Sequence, residues 1–383
     1  MAKRFTKGTA LFLALLITLF SAAFSASATV EACSVSWVHN PETVDASLLD
    51  PLVPAPESLK SAKIDQYSNL KVYPGGMPFG IKFLTEGVLI VGFHDLPGRI
   101  GTEHPSRAAG LACNDRILQI NDIPIGSAEE LNQAISKSGG APLKLLYSRN
   151  GTKQTTTLTP VYSQEEGRYT SGIYVRDSGA GIGTVTFILP KTLEFAGLGH
   201  GICDNSTGQL IPMQRGSVVG VTIHGVVKGL SGAPGEVKGY FSSGKTGSLI
   251  GNTECGVYGV LSKLPDKIPC DPLPVGLRNE LKEGKAYIYC ALDNPSTVRY
   301  EIEISNIQRD ATSNKCFTVK VTDPALLEKT GGIIQGMSGS PIIQNGKLVG
   351  AVTHVLINDP TTGYGIFIEN MLNAAQMPMA KAS

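Results

Sequence analysis

One tryptophan, 7% aromatic residues and 17% charged residues are little for a chain of 383 residues, and the charges nearly cancel. Thirty-three Lys and Arg against 32 Asp and Glu leave a formal net charge of +1, so no positive field exists to hold a polyphosphate backbone, and nucleic acid is not an expected partner. There is no C-x-x-C, and Cys203, three residues after His200, lacks further ligands at a recognisable spacing; neither a metal nor a cofactor is expected. No strand–G-x-S-x-G–helix elbow surrounds Ser338, which disfavours a non-proteolytic acyl hydrolase. The long apolar run, "TALFLALLITLFSAAF", has a core of roughly 15 residues, short of the ~20 that cross a bilayer comfortably. It follows Lys3, Arg4 and Lys7 and precedes the small residues of "SASA", which makes it an export segment; spacing favours cleavage after Ala28, with an uncleaved membrane anchor as the alternative. Glu31 argues against lipidation of Cys33.

What is present is glycine and proline, 44 and 23 of them, among short β-branched runs such as "GTVTFIL" and "GSVVGVTIHGVV". With 42% hydrophobic residues the chain can bury substantial cores, and its length suits two or three domains, mainly β. Its seven cysteines are an odd number for an exported chain, so at least one is free or pairs between chains.

Four stretches follow in order. Residues 1–28 are the export segment, and residues 29–68, with "PETVDASLLDPLVPAPESLKSAK", form a proline-rich linker. Residues 69–160 carry short strands, a small-residue helical turn from Ser106 to Ala109, a turn at Asn114-Asp115, and an amphipathic helix opened by Ser127. Glu130 three residues on completes a capping box, with Leu131, Ala134 and Ile135 as the apolar stripe. "SRAAGLACNDRILQINDIPI" makes this stretch resemble a PDZ domain of the bacterial protease-associated kind. That resemblance implies peptide capture by β-augmentation at "GGMPFGIKF", with Phe79, Gly80 and Ile81 as binding residues; the alternative is that Phe79 and Ile81 are core residues of a small barrel. Residues 161–383 form a glycine-rich β domain. Gly179, Gly181 and Gly183 are no nucleotide loop, because a strand and Pro190 follow where a helix N-terminus would be needed.

Two segments of that domain carry chemistry. His200 stands in "GLGHGICD", where flanking glycines suggest an accessible ring. "GMSGSPIIQNGKLVGAVTH" combines an Asn345-Gly346 hairpin turn with a serine between two glycines. Its opening resembles the G-x-S-G-G-P nucleophile loop of chymotrypsin-like serine proteases. In such a loop Gly336 lets its own N–H and that of Ser338 converge as an oxyanion hole. Ser338 is favoured over Ser340, which lacks the flanking glycine pair, and Met337 stands where digestive proteases carry an acidic residue. His354 and His224 are further histidines; His354, at the end of the hairpin, could read a substrate side chain or be a plain strand histidine.

Export segment, PDZ-like module, "GIGTVTF", "GLGHGICD" and "KVTDPALLEKTGGIIQGMSGSPIIQNGKLVGAVTHVLINDPTTGYGIFIENML" together resemble the sporulation stage IV B peptidase family. The resemblance implies a chymotrypsin-like double β-barrel preceded by the PDZ-like domain, and an exported serine endopeptidase of the forespore intermembrane space. It further implies self-processing at the chain's own N-terminal segment and cleavage of a membrane-bound regulator, which triggers intramembrane activation of the late mother-cell sigma factor. Its catalytic residues fall on His200, Asp323 and Ser338. Asp323 also reads as the cap of the helix "PALLEK", with Asp204 and Asp293 as substitutes. The competing function is a catalytically silent, exported PDZ binding scaffold.

Overall fold

The computed structural model describes residues 50–51, 67, 69–97, 102–204, 208–293 and 296–375. The export segment and nearly all of the linker lie outside the described residues. Among those described, no helix is long and apolar enough to cross a membrane.

Strand β1 (Pro78–Phe93) runs through two structures at once. Its second half pairs with β2 (Arg116–Ile120), whose other edge meets the hairpin β3 (Leu143–Arg149) and β4 (Thr152–Leu158), while helix α1 (Ala128–Lys137) closes the core. Val88, Ile90, Ile117, Leu131, Ile135 and Leu145 fill this module, each at most 1% exposed. The side chain of Ser127 caps α1 by accepting from Glu130 N at 3.1 Å, but Glu130 accepts from Gly126 N rather than Ser127 N, so only one side of the capping box forms.

The first half of β1 belongs to a barrel. It pairs on one edge with β5 (Ile173–Ile188); the ring continues through β6 (Glu194–Gly197), returns through β9 (Gly256–Leu261), β8 (Glu236–Thr253) and β7 (Met213–Val227), and closes on the other edge of β1. Phe79, Ile81 and Phe83 alternate into its interior against Val185, Phe195, Leu198 and Val257. Strand pairing crosses the expected division at residue 160: β1 and β5 each serve both modules, and residues 78–85 complete the first barrel. The sequence conceals this because Glu86-Gly87, with Gly87 at φ 73°, reads as a turn between two short strands, whereas the strand continues through it.

The second barrel is closed in the order β10 (Gly284–Asp293), β11 (Ser296–Ser305), β12 (Phe317–Val321), then β15, β14 and β13. Before these last three comes helix α2 (Pro324–Thr330); they are β13 (Pro341–Gln344), β14 (Lys347–Leu356) and β15 (Asp359–Phe367), and helix α3 (Ile368–Ala375) follows. Period-two burial of Ala286, Ile288, Cys290 and Leu292 turns one face of β10 inward, opposite Ile302, Ile304 and Val319. Each fully buried aliphatic side chain here stabilises the fold by about 1.5–3 kcal/mol. The fold is mainly β, two barrels and the smaller module of β2 to β4 and α1, as the sequence leads one to expect.

Candidate active site

The loop of residues 336–340 enters β13 from a pair of left-handed glycines, Gly336 at φ 97° and Gly339 at φ 96°. Two threonines of β5 fasten it. Thr184 Oγ1 donates to Gly336 O at 2.7 Å and Thr184 N to Ser338 O at 3.1 Å, while Thr186 Oγ1 donates to Gly339 O at 2.7 Å. From the other side Gly339 N donates to Val352 O at 2.8 Å and Val352 N to Ser340 O at 3.0 Å. The loop is thus clamped between a strand of the first barrel and a strand of the second. Among the described residues, neither Gly336 N–H nor Ser338 N–H donates to a backbone carbonyl.

His200 arrives from the first barrel. Leu198 at φ 67° and Gly199 at φ 69° turn the chain sharply out of β6, and Leu198 N donates to Thr184 O, the residue that holds the serine loop. A Cβ on Gly199 would lie 2.9 Å from Thr353 Cγ2, which shows how closely this turn approaches β14. That is the purpose of the glycine in "GLGH". The expected accessible ring is not what forms: His200 is 2% exposed, its Nδ1 lies 2.9 Å from Gly201 O, and the ring of His354 packs over it with centroids 4.9 Å apart. Ser338, half-buried, donates its hydroxyl to Thr353 O at 2.7 Å. One stretch, Thr353-His354, therefore touches both the serine and the histidine, and its only sequence signal was the histidine ending the hairpin. Thr184, Thr186 and Thr353 carried no signal beyond their strands.

The other candidates lie elsewhere. Asp323 spends both carboxylate oxygens on backbone amides: Oδ1 accepts from Ala325 N at 3.0 Å and Leu326 N at 3.2 Å, and Oδ2 from Glu301 N at 3.2 Å. With Pro324 in the first turn it is the N-cap of α2, the second of the two readings open in the sequence. None of these bonds reaches His200. Asparagine caps as well as aspartate, so Asp323→Asn should keep kcat within a few-fold of wild type, whereas Asp323→Ala should cost about 0.5–2 kcal/mol in a denaturant melt. A loss of more than about 10³ in kcat for the asparagine variant would restore Asp323 to the triad. Asp293 pairs with Lys329, Asp204 is buried, and His224 stacks on Tyr240 at 5.0 Å on an exposed hairpin. Ser340 is fully buried.

Phe79, Gly80 and Ile81 need correction as a peptide-binding edge. Their strand is hydrogen-bonded to β5 on one side and β7 on the other, Phe79 meets Phe195 edge-on at 5.6 Å, and Ile81 is fully buried. A strand with both edges paired has no row of amides left to offer an incoming peptide.

A family model described as SpoIVB peptidase S55 matches residues 167–372, more than half of the chain and all of the site just described. The chain belongs to this family. The family is one of peptidases, and a PDZ model matches residues 79–159, a domain of the peptide-binding kind. Over 95 residues the chain is 30% identical to a Clostridium acetobutylicum protein whose name places it provisionally among zinc metalloproteases; the match covers 25% of the chain and 27% of that protein. Among solved structures, the PDZ domain of the SdrC-like protein from Listeria monocytogenes is similar at 18% identity, covering 24% of this chain and 87% of that one, with a TM-score of 0.20. Rv3671c from M. tuberculosis, in the inactive form of a serine-to-alanine mutant, is similar at 14% identity, covering 50% and 79%, with a TM-score of 0.28.

Burial sets the protonation of this S55 peptidase's histidine pair. It pushes His200 below the ordinary imidazole range, against a smaller upward pull from Gly201 O; it pushes His354 down to about 3, helped by His200 and Lys315. A base with a lowered pKa stays neutral in more acid solution, so the acid limb of kcat/KM should lie below the reference value of ≈ 6.5 rather than at it. The unfolded chain binds protons at His354 from about pH 6.5 downward while the folded one does not until about 3. Stability is therefore fully present above pH 6.5 and drains away as pH falls toward 3. Melting midpoints taken from pH 7 to 4 should decline, and His354→Phe, which has no proton to bind, should flatten that slope.

Proposed function

We propose that Ser338 is the nucleophile and His200 its general base, on either side of the seam between two barrels. The observation that carries this is their shared neighbour: β14 accepts the Ser338 hydroxyl at Thr353 O, touches the His200 turn at Gly199, and lays His354 over the His200 ring. For attack, the hydroxyl leaves Thr353 O and turns to His200, which takes the proton and later returns it to the departing amine. Gly336 N–H and Ser338 N–H then receive the tetrahedral oxyanion. One preorganised donor of this kind contributes about 10²–10³ in rate.

The substrate reading rests on family membership together with the N-terminal sequence. The enzyme is exported, trims its own N-terminal side and then cleaves a membrane-bound regulator, and that cut leads to intramembrane activation of a late sigma factor in the mother cell during sporulation. The proline-rich, linker-like sequence of residues 29–68 supports the first cut, since proteases act on linkers of this composition. Purified full-length chain should shorten from its N-terminal side over hours while Ser338→Ala keeps its mass. Equal mass in both, with Ser338 still reactive toward a serine-directed probe, removes self-processing and leaves the peptidase.

A further inference from the structure

Two cysteines, one from each barrel, approach the same loop. Cys255 lies in the turn between β8 and β9 of the first barrel, half-buried; Cys316 directly precedes β12 of the second and is fully buried. Their sulfurs approach carbonyls of consecutive residues in one loop: Cys255 Sγ lies 3.8 Å from Thr312 O and Cys316 Sγ 3.2 Å from Ser313 O. The loop and the turn are tied together, because Asn314 Nδ2 donates to Glu254 O at 2.9 Å. Asn370 of α3 fixes the same spot, donating to Ser313 O at 3.0 Å and contacting Cys316 Sγ at 3.3 Å. The Cys255 thiol also feels the charge that Cys316 would carry.

Both segments lead to the site. A Cβ on Gly256, next to Cys255, would lie 2.6 Å from Gly197 O and 3.3 Å from Gly199 N, so this turn supports the one that presents His200. On the other side Thr353 Oγ1 donates to Asn314 O at 2.9 Å, so the Cys316 loop supports the residue that receives the Ser338 hydroxyl.

We propose that Cys255 and Cys316 are a dithiol site that closes to a disulfide, stapling the support of His200 to the support of Ser338, with a small-molecule or oxidoreductase disulfide as oxidant. The unequal exposure sets the order of events. The Cys255 thiolate attacks the incoming disulfide, forming a mixed disulfide and expelling one thiolate. The buried Cys316 loses its proton and attacks Cys255 Sγ, expelling the second. Two protein thiols give up two protons and two electrons, and the oxidant is reduced to two thiols. Burial holds the Cys255 thiol at about 11, so the first step is slow at neutral pH and gains about tenfold per pH unit from 7 to 9.

The test uses the full chain carrying Ser338→Ala, so that self-cleavage cannot alter the result and the outcome does not depend on the peptidase reading. Oxidised glutathione is added at pH 8.5, and the protein is digested without reduction and mapped by mass. The expected result is a cross-linked Cys255–Cys316 peptide. A melting midpoint raised by at least about 4 °C and reversed by dithiothreitol should accompany it, since the link closes a loop of about 60 residues. Cys316→Ser should stop at the glutathione adduct of Cys255, and Cys255→Ser should leave Cys316 unmodified. A wild-type pair that stays as the Cys255 adduct, or that links to Cys203, Cys270 or any other cysteine instead, overturns the proposal.

Discussion

Replacing Ser338 by alanine should lower kcat on a peptide substrate by about 10⁴–10⁶, replacing His200 by alanine should lower it by a similar factor, and the double variant should be no worse than either single one. The reason is that the two side chains act as one unit. Without the hydroxyl there is nothing for the imidazole to activate, and without the imidazole the hydroxyl stays on the Thr353 carbonyl, where the structure holds it at 2.7 Å. What remains comes from the oxyanion donors and substrate binding, which neither change removes. Additive losses would mean that the serine and the histidine work independently. Near-wild-type rates for His200→Ala would remove the histidine from the chemistry altogether.

Gly339→Ala should inactivate the enzyme almost as completely, although its side chain would touch no substrate. A Cβ there would stand 2.1 Å from Thr184 O and 2.5 Å from Leu198 N, both backbone atoms with little freedom to move, and φ at this residue is 96°. Backbone of that kind costs an L-residue about 1–3 kcal/mol before any clash is counted. The nucleophile loop must therefore leave the Thr184–Thr186 clamp, and displacement by about 1 Å is enough to lose on the order of 10² or more in rate. We expect kcat to fall by at least about 10³ and the melting midpoint to drop. Gly346→Ala, with φ 75° but nothing within 4 Å, serves as the control: it should lose some stability and keep its rate. Equal behaviour of the two variants would show that close contact at Gly339 does not matter.

The parts of this architecture that could be read from the chain were those written in local pattern. "GMSGSP" announces its serine because glycines at fixed offsets are needed to make that turn, and Asn345-Gly346 turns with φ 51° and 75°, as such a pair must. Asp323-Pro324 shows its capping role for the same reason, since the cap is satisfied within three residues. What escaped notice depends on long-range contact. Thr184 and Thr186 look like any alternating strand residues, yet they hold a loop some 150 positions away. The buried state of His200 was hidden because the ring that covers it, His354, comes from the other barrel. Phe79 and Ile81 were ambiguous between groove and core because alternation shows that one face is buried without showing what pairs along the edges, and here β5 and β7 take both.

Labelling with a fluorophosphonate addresses the assignment of the nucleophile most directly. The wild-type protein should gain one phosphonyl group, located on Ser338 by peptide mapping and suppressed in acid as His200 becomes protonated, while Ser338→Ala takes up none. A label on any other serine, Ser340 included, or equal labelling of the alanine variant, would contradict it.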